Sequence, residues 1–391
     1  MFDGFTYSQI QSSLLAKGIN FSYGETIKPH TIKKINYVSK YVKEWLYVVS
    51  NVSDEIFFVD VMCNAGLYKN DYLSTAVCVL NLFIKQAQRF TTKKFYLLCN
   101  DYDPQKVNTM KEIFSLYLYE MKKNEIENVC FQIESNDASE YIKNLNSNYL
   151  LRHTRGKKRS VVLYVDPYNF ITNELANSML NFSSKVYCEI IFNFFCNDYI
   201  RNINNPKTVK KRDEIIKTLT LFCGVQNLTT DAKLVLKKFI DRFKTETYMK
   251  YSYSVRMKNA NNAPLYDLVF FTPNIRGLEK VKEATWNTFS FHDDFSYTMN
   301  DNMDPNLFGE TDEDIAFDMA REKICKLLSM IGKNEFSYDE LEEIVLQDTF
   351  LKKGQLIEKL IKPLIAKGKF VKKGLAKSFN FTKDNYIFER N

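Results

Sequence analysis

The sequence predicts an α/β fold, a Rossmann-like and mostly parallel sheet with a terminal antiparallel hairpin, followed by a C-terminal winged helix-turn-helix. Three observations predict it. Short, continuously apolar runs alternate with longer helical segments between residues 55 and 194, as strands covered on both faces by crossover helices do. Two more apolar runs, 251–257 and 265–272, flank the turn-forming stretch KNANNAP, which suits a hairpin. Residues 350–391 hold eleven Lys or Arg against three acids, +8 in a chain whose total is +7, so the remainder nets −1.

The elements follow in order. Residues 25–50 form an amphipathic helix, with Ile32, Ile35, Val38, Val42, Trp45 and Leu46 at steps of three or four. Residues 1–50 are therefore expected to be a helical segment packed on the core. A Rossmann-like domain spans 51–292. Its strands are EIFFVDV (55–61), KKFYLLCN (93–100), NVCFQIE (128–134), VVLYV (161–165) and VYCEIIFNF (186–194). A Lys-rich helical insertion occupies 201–248, and 293–314 form an acidic linker. Residues 315–391 read as three helices and a two-stranded basic ribbon. That order is a winged helix-turn-helix, with Lys352, Lys353 and Lys359 around its recognition helix and Lys372, Lys373 and Lys377 on its wing. Such lysines neutralise phosphates, so the expected partner is a nucleic acid, DNA or RNA.

Several classes of function are disfavoured. The eight cysteines form no Cys-x-x-Cys pair and only three histidines exist, His30, His153 and His292, so no metal centre is expected. No apolar run nears the roughly 18 residues of a membrane helix. The start MFDGFT lacks a basic flank and an apolar stretch, so no signal peptide is read and a cytoplasmic location away from membranes is expected.

In an open α/β sheet, ligands bind beyond the carboxyl ends of the strands. Asp60 ends the first strand, Asp101 follows the second and Asp137 follows the third. In nucleoside-binding sheets the acid after the second strand grips the ribose hydroxyls, and the acid after the third sits near the adenine amine. The loop after the first strand needs glycines for close backbone approach; here it reads Met62-Cys63-Asn64-Ala65-Gly66. Asp166-Pro167-Tyr168 ends the fourth strand. The basic loop RHTRGKKRS (152–160) precedes that strand, so it belongs at the opposite sheet edge.

These motifs, in this order, resemble the three-Cys-motif partner proteins, a bacterial family with a class I methyltransferase-like fold. The resembling segments are IKPHTIKKINYVSKYVKEWL, FVDVMCNAGLY, CNDYDP, NDASEYI, VVLYVDPYNF, EIIFNFFCNDYIRN and LYDLVFFTPNIRGLEKVKEATW, over most of residues 25–290. The chain departs from the family at Asn64, where a glycine is usual, and at Asn169 after Asp-Pro-Tyr. The resemblance implies S-adenosylmethionine as cofactor, with Asp60, Asn64, Gly66, Asp101 and Asp137 around it. It also implies a three-Cys-motif protein encoded nearby as a partner, and a setting in phage defence. Methyltransferases acting on exocyclic amines carry an Asp/Asn-Pro-Pro-aromatic loop after the fourth strand, so Asp166, Pro167 and Tyr168 are the catalytic candidates. The Asp and the proline carbonyl would accept from the amine while the ring stacks on a flipped base. Two alternatives stand beside this one. The first is a catalytically degenerate nucleic-acid-binding partner protein of a defence or regulatory operon. The second is a nuclease whose acids hold magnesium, for which no paired-acid spacing is evident.

Overall fold

The computed structural model of the chain describes residues 2–19, 26–148, 150, 156–203, 205, 209–226, 229–258, 263–289, 312–373, 381 and 385–389. Residues 293–311 of the expected linker, Lys377, and residues 152–155 of the basic loop lie outside them.

Five parallel strands carry the fold: β1 (Glu55–Asp60), β4 (Lys94–Asn100), β5 (Val129–Glu134), β6 (Arg159–Val165) and β7 (Glu189–Phe194). Between the first two, β2 (Leu67–Tyr68) and β3 (Tyr72–Leu73) form a small ribbon of their own. The hairpin β8 (Tyr251–Lys258) and β9 (Pro264–Thr272) completes a seven-stranded sheet in the order β5-β4-β1-β6-β7-β9-β8, with β9 antiparallel to both neighbours. Phe58 of central β1 lies between Leu97 of β4 and Val162 of β6. Strand β7 starts three residues later than its apolar run, because the Val186 amide closes a turn on the Phe182 carbonyl at 2.8 Å.

Side chains alternate across a strand, and both faces of this sheet are covered. Ile56 and Phe58 enter one core, beside Tyr41 and Trp45 of α2 (Pro29–Val52), Phe83 of α3 (Thr75–Ala87), Tyr117 of α4 (Pro104–Lys123) and Leu278 of α10 (Ile275–Trp286). Phe57 and Val59 enter the other, beside Ile142 of α5 (Ala138–Asn148), Met179 of α6 (Asn173–Ser183) and Phe239 of α9 (Ala232–Glu246). Strand β1 is thus wet on neither face, which is why it reads as an unbroken apolar run. The N-terminal segment holds two helices, α1 (Tyr7–Ala16) and α2, rather than one. Helix α2 begins at Pro29, whose missing N–H costs nothing in a first turn. The insertion comprises α7 (Cys196–Ile203), which starts ahead of position 201, then α8 (Val209–Lys217) and α9.

The C-terminal unit has α11 (Asp312–Ile331), β10 (Glu335–Ser337), α12 (Tyr338–Asp348), a wide π-turn stretch Leu356–Ile361 running into α13 (Lys362–Ala366), and the strands β11 (Phe370–Lys373) and β12 (Asn385–Phe388). Its sheet has three strands, β10-β12-β11, where the sequence suggests two. Strand β10 abuts the capping box of α12, in which Ser337 and Glu340 satisfy each other's amides, and that signal hides so short a strand. Helix α11 starts at Asp312, ahead of the expected 315, so the end of the acidic run forms its first turn. Asp314 there places negative charge at the positive end of the peptide dipoles.

This unit is not merely tethered. Trp286 at the end of α10 donates to the Phe350 carbonyl at 2.9 Å and stacks on Phe317. Buried Lys282 of α10 donates to the Thr349 carbonyl and lies 4.4 Å from the Tyr253 ring centre. Burial holds its amine well below the ordinary lysine value, with Lys323 pushing the same way.

Candidate functional site

Three strand ends are tied together by one side chain that the sequence does not single out. Asn100, the last residue of β4, is buried. Its amide nitrogen donates to the Val61 and Asn136 carbonyls at 3.1 and 3.0 Å, and its oxygen accepts from the Asn136 amide at 3.0 Å. The loops after β1, β4 and β5 are thereby fixed relative to one another.

The loop after β1 is stitched inward. The Met62 amide donates to Asp60 Oδ1 (3.3 Å), Cys63 to the Asn100 carbonyl (2.9 Å), Asn64 to Asp101 Oδ2 (2.9 Å) and Ala65 to the Asn64 side chain (2.7 Å). Asn64 has φ of 62°, a left-handed conformation that asparagine tolerates where a glycine would be usual. Gly66 has φ of 88°, and a Cβ there would lie 2.5 Å from Ile113 Cδ1.

Beyond these ends lies a cavity of about 270 Å³, lined by all four strand-end loops, with Val61, Met62, Asp101, Tyr102, Asp137, Pro167 and Tyr168 among its walls. The structure therefore brings Asp101, Asp137, Pro167 and Tyr168 together. Asp101 also accepts from the Asp103 amide at 3.0 Å. Asp137 opens α5 by accepting from the Ser139 and Glu140 amides at 2.8 and 3.3 Å. Tyr102 and Tyr168 keep 79% and 58% of their surface exposed on the cavity rim. Lys106 donates to the Tyr168 hydroxyl at 3.1 Å. Two such rings can stack on bases.

Asp60, Asn64, Gly66 and Asp166 do not line this cavity. Asp60 and Asp166 belong to a second polar cluster under α2. Lys34 of α2 and Asn193 of β7 donate to Asp166 Oδ2 and Oδ1 respectively, and the Tyr164 hydroxyl donates to Oδ2 at 3.2 Å. Both carboxylate oxygens are thus engaged by the protein. This corrects the expectation that Asp166 stands open as acceptor for a substrate amine. Burial, and after it the Asp166 charge, push the Asp60 carboxyl well above the ordinary range. His30, one turn ahead of Lys34, is depressed to about 4 by burial and by the Lys34 and Lys28 charges. Lys34 also lies 5.7 Å from the centre of the Tyr266 ring. Neither Lys34 nor Asn193 stands out in the sequence, since one sits in a Lys-rich helix and the other in an apolar strand.

The C-terminal lysines have varied surroundings. Lys353 bridges buried Glu342 of α12 and Glu279 of α10 at 2.5 and 3.3 Å. It is an interface residue rather than an open phosphate ligand, because two carboxylates already hold it. Lys352 lies over Trp286, Lys359 over Phe317 and Lys372 over Phe381, while Lys373 pairs with Glu335 at 2.7 Å. Lys372 and Lys373 sit on β11, an outer strand of the small sheet. On the other sheet edge from Asp166, Lys157 and Arg159 of the basic loop pair with Glu55.

No protein-family model matches the chain, and no curated protein matches it in sequence. Solved structures similar to it include a candidate class I S-adenosylmethionine-dependent methyltransferase from Listeria monocytogenes. It is 11% identical over 69% of this chain and 70% of that one, with a TM-score of 0.33. Human methyltransferase-like protein 13 in complex with SAH is 10% identical over 66% and 91%, with a TM-score of 0.30. Geranyl diphosphate C-methyltransferase from Streptomyces coelicolor is 9% identical over 59% and 78%, with a TM-score of 0.25. Scores this low place no residue of this chain on a residue of theirs.

Proposed function

We propose that the chain is an S-adenosylmethionine-dependent methyltransferase acting on nucleic acid, with the C-terminal unit serving as a winged helix that holds the polymer. The observation that carries this reading is the cavity across four consecutive strand ends, walled by Asp101 and Asp137. Asp101 spends one lone pair of each oxygen on a backbone amide and keeps others for ribose hydroxyls. Asp137, at the exposed mouth, suits the adenine edge. The cofactor would supply an electrophilic methyl group, and Tyr168 and Tyr102 would stack on the polymer's bases. The helix–strand–helix–helix–hairpin order and the +8 charge of residues 350–391 support the winged-helix assignment. A three-Cys-motif partner protein and a setting in phage defence are proposed from the family resemblance alone. Calorimetry with S-adenosylmethionine and S-adenosylhomocysteine tests the reading, and no heat at millimolar ligand would end it.

A second reading, a catalytically degenerate nucleic-acid-binding protein, is favoured by two observations. The amides of residues 62–65 are all bonded within the protein. None is therefore spare for a methionine carboxylate unless the loop shifts. At about 270 Å³ the cavity also falls just below the roughly 300–1,000 Å³ usual for small-molecule sites. Binding of adenosine without binding of S-adenosylhomocysteine would select this reading.

A further inference from the structure

The Lys-rich insertion has no part in the site described so far. Residues 201–248 hold eleven Lys or Arg against five acids, +6. With the +8 of residues 350–391 also set apart, the rest of the chain nets −7, so two separate basic segments stand on an acidic body. We propose that the α7–α8 corner of this insertion is a second nucleic-acid surface. A single-stranded stretch lies there with one base stacked on Tyr168 and its phosphates on Arg201 and Lys210. The inference rests on the nucleic-acid reading above and adds where the strand meets the cavity.

Helices α7 and α8 pack on the loop that carries Tyr168. Asp198 of α7 accepts from the Phe170 amide at 2.9 Å, and Lys211 of α8 donates to Asp198 at 2.6 Å and to the Asn169 side chain at 3.0 Å. Thr218, just past α8, donates to the Ile171 carbonyl at 3.1 Å. Lys211 is thus spent within the protein. Arg201, one turn after Asp198, and Lys210, beside Lys211, are exposed and hold no carboxylate among the described residues. A phosphate contact there costs no existing ion pair.

Tyr168 itself is held by its polar tip. Lys106 donates to its hydroxyl and lies 5.1 Å from the ring centre, while more than half of the side chain stays in water at the cavity rim. A base that is paired and stacked in a duplex has no face to offer such a ring, whereas an unpaired base does, and stacking removes both apolar faces from water. The direction of the strand follows from charge. Around Tyr102 the nearby groups are acidic, with Asp101 and Asp103 beside it in sequence and Asp137 on the same cavity. Phosphates are repelled from that side and drawn toward the α7–α8 corner.

The test is fluorescence anisotropy of the full chain with labelled oligonucleotides, single-stranded and duplex, as DNA and as RNA, across a salt series. The native chain is compared with Tyr168→Ala, Tyr168→Phe and the double variant Arg201→Ala/Lys210→Ala, all at exposed positions, and a urea midpoint for each verifies folding. Tyr168→Ala should weaken single-strand binding about tenfold. Tyr168→Phe, which keeps the ring and loses only the Lys106 bond, should bind as the native chain does. The double variant should shallow the single-strand log-log salt slope by about 1.4, at roughly 0.7 per phosphate. Duplex affinity should change in none of them. Native single-strand affinity in Tyr168→Ala, a native salt slope in the double variant, or an equal loss on duplex would overturn this surface and leave the nucleic-acid reading standing, because binding itself persists. No binding of any of these oligonucleotides to the native chain would overturn that reading and this inference with it.

Discussion

Replacing Gly66 by alanine should cost the chain several kcal/mol. Two terms add. A non-glycine residue in the left-handed region, here φ of 88°, costs about 1–2 kcal/mol. The new Cβ would lie 2.5 Å from Ile113 Cδ1 and 2.9 Å from Met110 Sδ, and forcing atoms into a packed core costs about 1–3 kcal/mol. The sum is about 2–5 kcal/mol, readable as a fall in the urea midpoint at unchanged slope. A second substitution separates the terms. Ile113→Val removes the Cδ1 atom that the Cβ meets, at a cost of about 0.5–1.5 kcal/mol by itself. The double variant should then be more stable than the sum of the single changes by about 1 kcal/mol, because the steric term is relieved. It should still fall short of the native chain, because the backbone term remains. A Gly66→Ala chain within about 0.5 kcal/mol of native, or strict additivity in the double variant, would refute this account of the loop.

Three further outcomes are expected. Asp101→Ala removes charged acceptors from the Asn64 and Asp103 amides. It should lower stability by about 2–4 kcal/mol and S-adenosylhomocysteine affinity by at least tenfold; calorimetry showing native affinity in a folded variant would remove Asp101 from the cofactor site. Buried Glu189 accepts from Tyr41 and from Thr272, the latter at 2.8 Å, and burial pushes its carboxyl up to about 7 against those bonds. The folded chain then holds a proton that the unfolded chain releases near pH 4.5. Stability is fully present below that pH and lost as pH rises to about 7, by roughly 3 kcal/mol at 1.36 kcal/mol per pH unit. Denaturation across pH 4–8 should show this slope in the native chain and its absence in Glu189→Gln. Lys353→Ala removes the cation shared by buried Glu342 and Glu279, but the Lys353 side chain is 39% exposed and Glu279 keeps Arg276 at 2.8 Å, so it should destabilise by about 1–2 kcal/mol and leave the salt dependence of nucleic-acid binding unchanged. Lys372→Ala should instead shallow the log-log salt slope by roughly one while stability holds; the reverse pattern would show that the two lysines have been assigned the wrong way round.

How far the sequence goes depends on whether a signal is local. Strand β1 is legible as 55–61 and found at Glu55–Asp60, because a strand buried on both faces must be apolar at nearly every position. The positions of Asp101 and Asp137 just past β4 and β5 are legible for the same reason, since a strand's end is marked within its own few residues. Short or capped features escape. Strand β10 is masked by the capping box beside it, and the start of α2 by the residues ahead of Pro29. What the sequence by itself determined is therefore the order of strands and helices, the acids at strand ends and the basic tail. Which acids share a cavity was decided only by the tertiary structure. Asp101 and Asp137 meet Tyr168 there, while Asp166, two residues before Tyr168, turns to Lys34 and Asn193. Lys353 likewise reads as part of a basic run, and only the docking of α12 on α10 turns it into a bridge between two buried carboxylates. The physical reason is that a side chain's partner is set by which faces the folded chain brings together, and contacts spanning 132 residues leave no periodicity in a sequence.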